Sequence, residues 1–134
     1  MRLIPDDILG IITVLQEAEG EPFLGKVAVA EVILRRTKHK FASDGTVAGT
    51  VLKRLQFSGM NSDSANRVRT FKADDSNPVV KDCIRAWEQA KEGSNLAPGC
   101  LHYFNPNLCD PSWAKGSTIV AEIGNHRFVI PKEG

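Results

Sequence analysis

The chain has 134 residues, 42% hydrophobic and 25% charged, which fits one ordinary globular domain spanning residues 1–134. Its 17 basic and 16 acidic residues leave a formal charge of +1, without the basic excess that a nucleic-acid binder needs. Three cysteines, Cys83, Cys100 and Cys109, are too few and too odd in number for a disulfide framework.

Free thiols are therefore the expectation, with a Cys100–Cys109 bridge as the alternative in an oxidising compartment. Met1 leads into Pro5-Asp6-Asp7, not into a basic segment and an apolar run, so no signal peptide is expected. Nor is any apolar stretch long enough to span a bilayer. These features predict synthesis in the cytoplasm and no stable membrane insertion. A target beyond the membrane would have to be reached by another route of release.

In chain order, Asp6 or Asp7 is placed to cap a first helix running to about Ala18, with Ile8, Ile11, Ile12 and Leu15 on one face. Gly20 and Pro22 break it. A second helix, from about Leu24 to Arg36, is apolar nearly all round and belongs at the centre of a core. The basic run Arg35-Arg36-Thr37-Lys38-His39-Lys40 reads as its solvated end, with weak attraction to an anionic polymer as the alternative. Asp44-Gly45 makes a turn, and Thr46 caps a short third helix through Val47, Val51 and Leu55. The polar stretch from Gln56 to Asn77 is a long loop of the kind that carries function. Asn77-Pro78 starts a fourth helix with Trp87 on its apolar side, and Gly93 ends it. After Pro98-Gly99 the pattern changes: Leu101–Phe104 and Arg127–Ile130 are strands, separated by the turn-rich Asn105-Pro106 and Asp110-Pro111. The predicted class is α+β, a helical first two-thirds followed by a small β-region.

The segment Gln16-Glu17-Ala18-Glu19-Gly20-Glu21-Pro22 places three carboxylates where an apolar helix ends. That end of a helix repels negative charge, and a local rule broken in this way marks a candidate site. Glu17 lies beside the apolar face. Partial desolvation there would raise its pKa toward what a general acid needs. On these residues alone, solvent-exposed turn carboxylates remain the competing interpretation.

The run from Glu17 through Gly20-Glu21-Pro22, Gly25 and Ala28-Val29-Ala30 to Val32-Ile33-Leu34-Arg35-Arg36 resembles the opening signature of the SleB/CwlJ cell-wall hydrolases, the spore-cortex lytic enzyme family. Members typically read E-A-x-G-E-P-x-x-G-x-x-A-V-A-x-V-I-x-N-R. The resemblance continues in order through Gln56-Phe57-Ser58, Leu101-His102-Tyr103-Phe104-Asn105-Pro106, Trp113 and Ile123-Gly124-Asn125-His126-Arg127-Phe128. It implies a lysozyme-like fold and cleavage of peptidoglycan glycan strands between N-acetylmuramic acid and N-acetylglucosamine. Glu17 stands at the family's catalytic glutamate. Glu19 falls where the family varies, and Glu21 matches a family position, with capping of the second helix as its plainer role. Arg35 replaces the usual Asn.

Hydrolysing glycosidases pair an acid with a second carboxylate, and with Glu21 read as a cap no second one is anchored in a matching block. A lytic transglycosylase with a single catalytic Glu is thus the first expectation, and muramidase hydrolysis the second. Phe57, Ser58, Tyr103, Asn105, Trp113 and His126 are the candidate substrate-binding residues. Core packing competes for Trp113, and a structural hydrogen bond across the last turn competes for His126. No metal or cofactor is implied. A zinc set of Cys100, His102, Cys109 and His126 matches no familiar spacing, and no cysteine block supports an amidase-type nucleophile. A catalytically silent glycan-binding module is a rival that the Glu17 block argues against. A monomer acting on the bacterial wall is expected, of the kind a bacteriophage releases through membrane holes, with a host-encoded wall-remodelling or spore-germination enzyme as the alternative.

Overall fold

The computed structural model describes residues 6–41, 43–51 and 76–132. Among these residues, four helices come first: α1 (Asp6–Ala18), α2 (Phe23–Lys38), α3 (Val47–Val51) and α4 (Pro78–Glu92). Three strands follow, β1 (His102–Phe104), β2 (Thr118–Ile123) and β3 (His126–Ile130), with a short 3-10 turn at Ser112–Ala114 between β1 and β2. They form an antiparallel sheet in the order β1-β3-β2. The α+β class and the helix-then-sheet order match the reading of the sequence.

α2 runs through the middle of the molecule. Val27 to Ala30, Val32 and Ile33 are fully buried, and the helix packs against α1, α3 and α4. α1 presents Leu9, Thr13, Val14, Leu15 and Ala18 to this core. Of the predicted face, Leu15 is buried and Ile11 packs against the core, whereas Ile8 is 47% exposed. Trp87 of α4 lies so close to α1 that a Cβ on Gly10 would stand 2.3 Å from its ring. The smallest residue on α1 thus makes its closest approach to α4, beside the buried Leu9. Asp7 does not cap α1. Its carboxylate accepts from Trp87 Nε1 at 2.8 Å and from Lys91 Nζ at 3.0 Å.

The predicted caps of the later helices are present. Gly49 N donates to Thr46 Oγ1 at 2.9 Å at the start of α3. Asn77 Oδ1 accepts from Val79 N at 2.8 Å, with Pro78 in the first turn of α4. Gly93 closes α4 in the left-handed region at φ 113°. α2, in contrast, starts after Pro22 without any side-chain cap, so Glu21 does not have the capping role.

β2 was not anticipated. It pairs with β3 through a tight turn at Gly124-Asn125, and its ladder is irregular between Ile119 and Ala121. That irregularity breaks the in–out alternation by which a half-buried strand is recognised. Cys83 and Cys100 are buried, Cys109 is exposed, and all three are free. No helix among the described residues is long and apolar enough to cross a membrane.

Candidate active site at the junction of helix and sheet

Glu17 lies in the last turn of α1, where the chain turns at Gly20 to enter α2. Its side chain meets the sheet: Tyr103 on β1 donates its hydroxyl to Glu17 Oε1 at 2.6 Å. Burial pushes the Glu17 carboxyl above the usual carboxylate range. The Tyr103 hydrogen bond and the positive charge of Arg36 oppose this and do not cancel it. The Tyr103 hydroxyl is itself raised well above its usual value, by burial and then by the adjacent carboxylate. It therefore stays a donor.

Arg36 comes from the last turns of α2 and is only 9% exposed. Its Nε donates to the Leu101 carbonyl at 2.7 Å, just before β1, and its guanidinium lies 5.3 Å from the Phe41 ring centre. This corrects the picture of a solvated basic run. Lys38, His39 and Lys40 are exposed, but Arg36 is turned inward. Arg35 also turns in, donating to the carbonyls of Ala97 and Cys100 at 3.0 and 2.8 Å. The departure from the family's Asn thus has a structural use. Glu31, one turn earlier and 4% exposed, accepts from Ser94 Oγ and from the amides of Leu96 and Ala97 at 2.6 to 2.9 Å. Neither Arg36 nor Glu31 was singled out from sequence, because charges in a helix otherwise read as its wet side.

His126 on β3 packs its ring against Tyr103, with centres 5.0 Å apart, and both rings meet the buried Phe128. Its Nδ1 lies 3.8 Å from Glu21 Oε1. Burial lowers the imidazole pKa, against the pull of Glu21. Glu21 accepts from Asn125 N at 2.7 Å and from Asn125 Nδ2 at 2.9 Å, so it fastens the β2–β3 turn to the α1–α2 junction.

Successive strand residues face opposite ways, and β1 divides the other candidates accordingly. Tyr103 turns toward Glu17, whereas His102 and Phe104 meet Trp113, at ring distances of 5.1 and 5.7 Å. Trp113 is 44% exposed, which rules out core packing and leaves part of its indole open. Asn105 is committed to its own loop, its Oδ1 accepting from Asn107 N at 2.9 Å. Phe57 and Ser58 lie outside the described residues. Among the described residues, no group of three or more His, Cys, Asp or Glu side chains is placed to hold a metal ion, so the four nominal zinc ligands do not come together.

A desolvated carboxyl at a helix end, met by a phenol from a small antiparallel sheet, defines a lysozyme-like α+β domain with a candidate acid site. Residues 20–129 match the family model described as Cell Wall Hydrolase. The spore cortex-lytic enzyme of Bacillus subtilis strain 168 is 30% identical over 128 residues, which are 96% of this chain and 36% of that protein. The spore cortex-lytic enzyme of Halalkalibacterium halodurans is 32% identical over 114 residues, 84% of this chain and 31% of that one. The chain thus spans about a third of the length of these curated relatives. Among solved structures, the catalytic domain of the germination-specific lytic transglycosylase SleB from Bacillus anthracis superposes with a TM-score of 0.74 at 27% identity. That match covers 95% of this chain and 96% of the other. The catalytic domain of the Bacillus cereus SleB protein gives the same score and identity, over 97% and 98%.

The chain belongs to the cell wall hydrolase family and carries its enzyme fold. The family match takes in Glu21, Tyr103 and His126 but begins after Glu17.

Proposed function

We propose that this chain is a catalytic domain that cuts peptidoglycan glycan strands between N-acetylmuramic acid and N-acetylglucosamine. It acts as a lytic transglycosylase, with Glu17 as both acid and base. The observation that carries this reading is the Glu17 carboxyl, biased toward its neutral form by burial and held by the Tyr103 phenol. Among the described residues, the charged group that acts on it is the Arg36 guanidinium. Asp63, Asp74 and Asp75, three other carboxylates of the chain, lie outside that set. The names of the relatives, cortex-lytic enzyme and lytic transglycosylase, support the same substrate and reaction.

In this mechanism Glu17 gives its proton to the oxygen of the departing N-acetylglucosamine as the bond from muramic C1 to that oxygen breaks. The resulting carboxylate then takes the proton of the muramic C6 hydroxyl, whose oxygen closes onto C1 to form the anhydro sugar. Glu17 ends protonated, and no water is consumed. The acid and base turns use one group, and the nucleophile is already tethered to the reacting carbon. Tyr103 keeps the carboxyl oriented throughout. The open face of Trp113 is suited to stacking against a pyranose ring.

Mass spectrometry of digested walls tests the reading, since anhydro-muramic ends are lighter by one water than reducible ends. Reducible ends alone would establish muramidase hydrolysis instead. Glu17→Gln should lower wall clearing by roughly a hundredfold to ten-thousandfold, the usual worth of a general acid. Retained clearing would remove Glu17 from the chemistry.

A further inference from the structure

Glu21 makes contacts that neither helix capping nor exposure in a turn explains. Both of its oxygens reach across to the β2–β3 turn, onto Asn125 N and Asn125 Nδ2 at 2.7 and 2.9 Å. The fit around it is close. A Cβ on Gly124 would stand 2.5 Å from Glu21 Oε1 and 2.7 Å from Pro22 Cδ, and Gly124 holds φ +58°. Only glycine meets both demands without strain. From the other side, Lys26 Nζ donates to the Glu21 backbone carbonyl, so the acid is fixed at both ends. Its side chain is 9% exposed and that of His126 is 11% exposed.

The turn held in this way leads directly into His126, whose ring lies 5.0 Å from that of Tyr103. Tyr103 in turn holds Glu17 at 2.6 Å. We propose that Glu21 is a positioning residue for the Glu17 site: by fixing Asn125 and His126 it supports the ring whose hydroxyl orients the catalytic carboxyl. This rests on the reading of Glu17 as the acid.

The groups facing the site are Tyr103 from β1 and Arg36 from α2 at Glu17, with Glu21 from the α1–α2 turn at His126. Glu21 carries no proton to the substrate; its effect runs through geometry. Freed from Glu21, Tyr103 loses its hold on Glu17. The hydrogen bond that favoured the carboxylate weakens, and the Glu17 pKa rises further. The alkaline limb of the activity profile, where the acid is lost, then moves to higher pH. Tyr103→Phe should move it the same way.

The test is a double-mutant cycle on wall digestion, reading kcat, KM and the alkaline limb for Glu21→Ala, Tyr103→Phe and the pair. Glu21→Ala should lower kcat by roughly tenfold to a hundredfold, the cost of a small misplacement, with less change in KM and with the limb shifted upward. In the Tyr103→Phe background it should add little, because the path it acts through is already cut. Asn125→Ala removes only one of the two donors and should reproduce the same shift more weakly; it carries the test if Glu21→Ala does not fold. Full additivity, or an unchanged kcat and limb in a folded variant, overturns the proposal while Glu17→Gln stays inactive. An active Glu17→Gln overturns the reading of the acid itself, and this proposal with it.

Discussion

At Glu17 the cost of burial outweighs the hydrogen bond from Tyr103 and the charge of Arg36, so the carboxyl keeps its proton to higher pH than an exposed glutamate does. The folded chain thus binds that proton more tightly than the unfolded chain. The stability tied to this group is fully present below the unfolded pKa and is lost as pH rises through the higher, folded one. Glu17→Gln removes the titration. Thermal melts across pH should show the variant gaining on the wild type as pH rises; a gap that stays constant would mean Glu17 is not desolvated. The thiols allow a second check. Burial pushes Cys83 up to about 11 and also raises Cys100, whereas Cys109 is exposed. Alkylation of the native protein near neutral pH should mark Cys109 first, with the other two reacting only on unfolding. At this scale the sequence was partly legible. Three acids at a helix end marked the place, and the family resemblance chose Glu17 among them. Arg36 and Glu31 were hidden because a helical charge looks the same whether it points to water or inward.

Helix ends were the most readable elements, because caps are local chemistry: Thr46, Asn77-Pro78 and Gly93 sit where their residue types require. Removing the Asn77 cap with Ala should cost ~1 kcal/mol in denaturant unfolding. The faces of the helices were less readable, since a neighbour decides them. Trp87 selects Gly10 on α1, and no periodicity count favours a glycine. Gly10→Ala should therefore destabilise by about 1–3 kcal/mol through overpacking, although alanine is the better helix former. A stabilised variant in the same unfolding experiment would show that the helices can move apart cheaply. β2 escaped notice for a related reason: its irregular pairing with β3 hides the two-residue period.

Across the whole molecule, α2 sets where the sheet lies. Glu31 and Arg35 hold the segment from Ser94 to Cys100 that leads from α4 to β1, and Arg36 holds the next carbonyl, at Leu101. Glu31→Ala would leave three donors without their acceptor and should cost about 3–5 kcal/mol, read as a lower midpoint in urea. Activity measured below that midpoint should fall as well, because β1 carries Tyr103. These long-range ties could not be read from local pattern, although the order of helices then strands could.

The hydrogen bond between Glu17 and Tyr103 has one partner on the helices and the other on the sheet. The desolvation of Glu17 therefore depends on assembly of the two. If the sheet lifts from α1, water reaches the carboxyl and its pKa falls back toward that of an ordinary glutamate. On the proposed mechanism, the bias of Glu17 toward its neutral form, and with it the cut, depends on the helices and the sheet staying closed together.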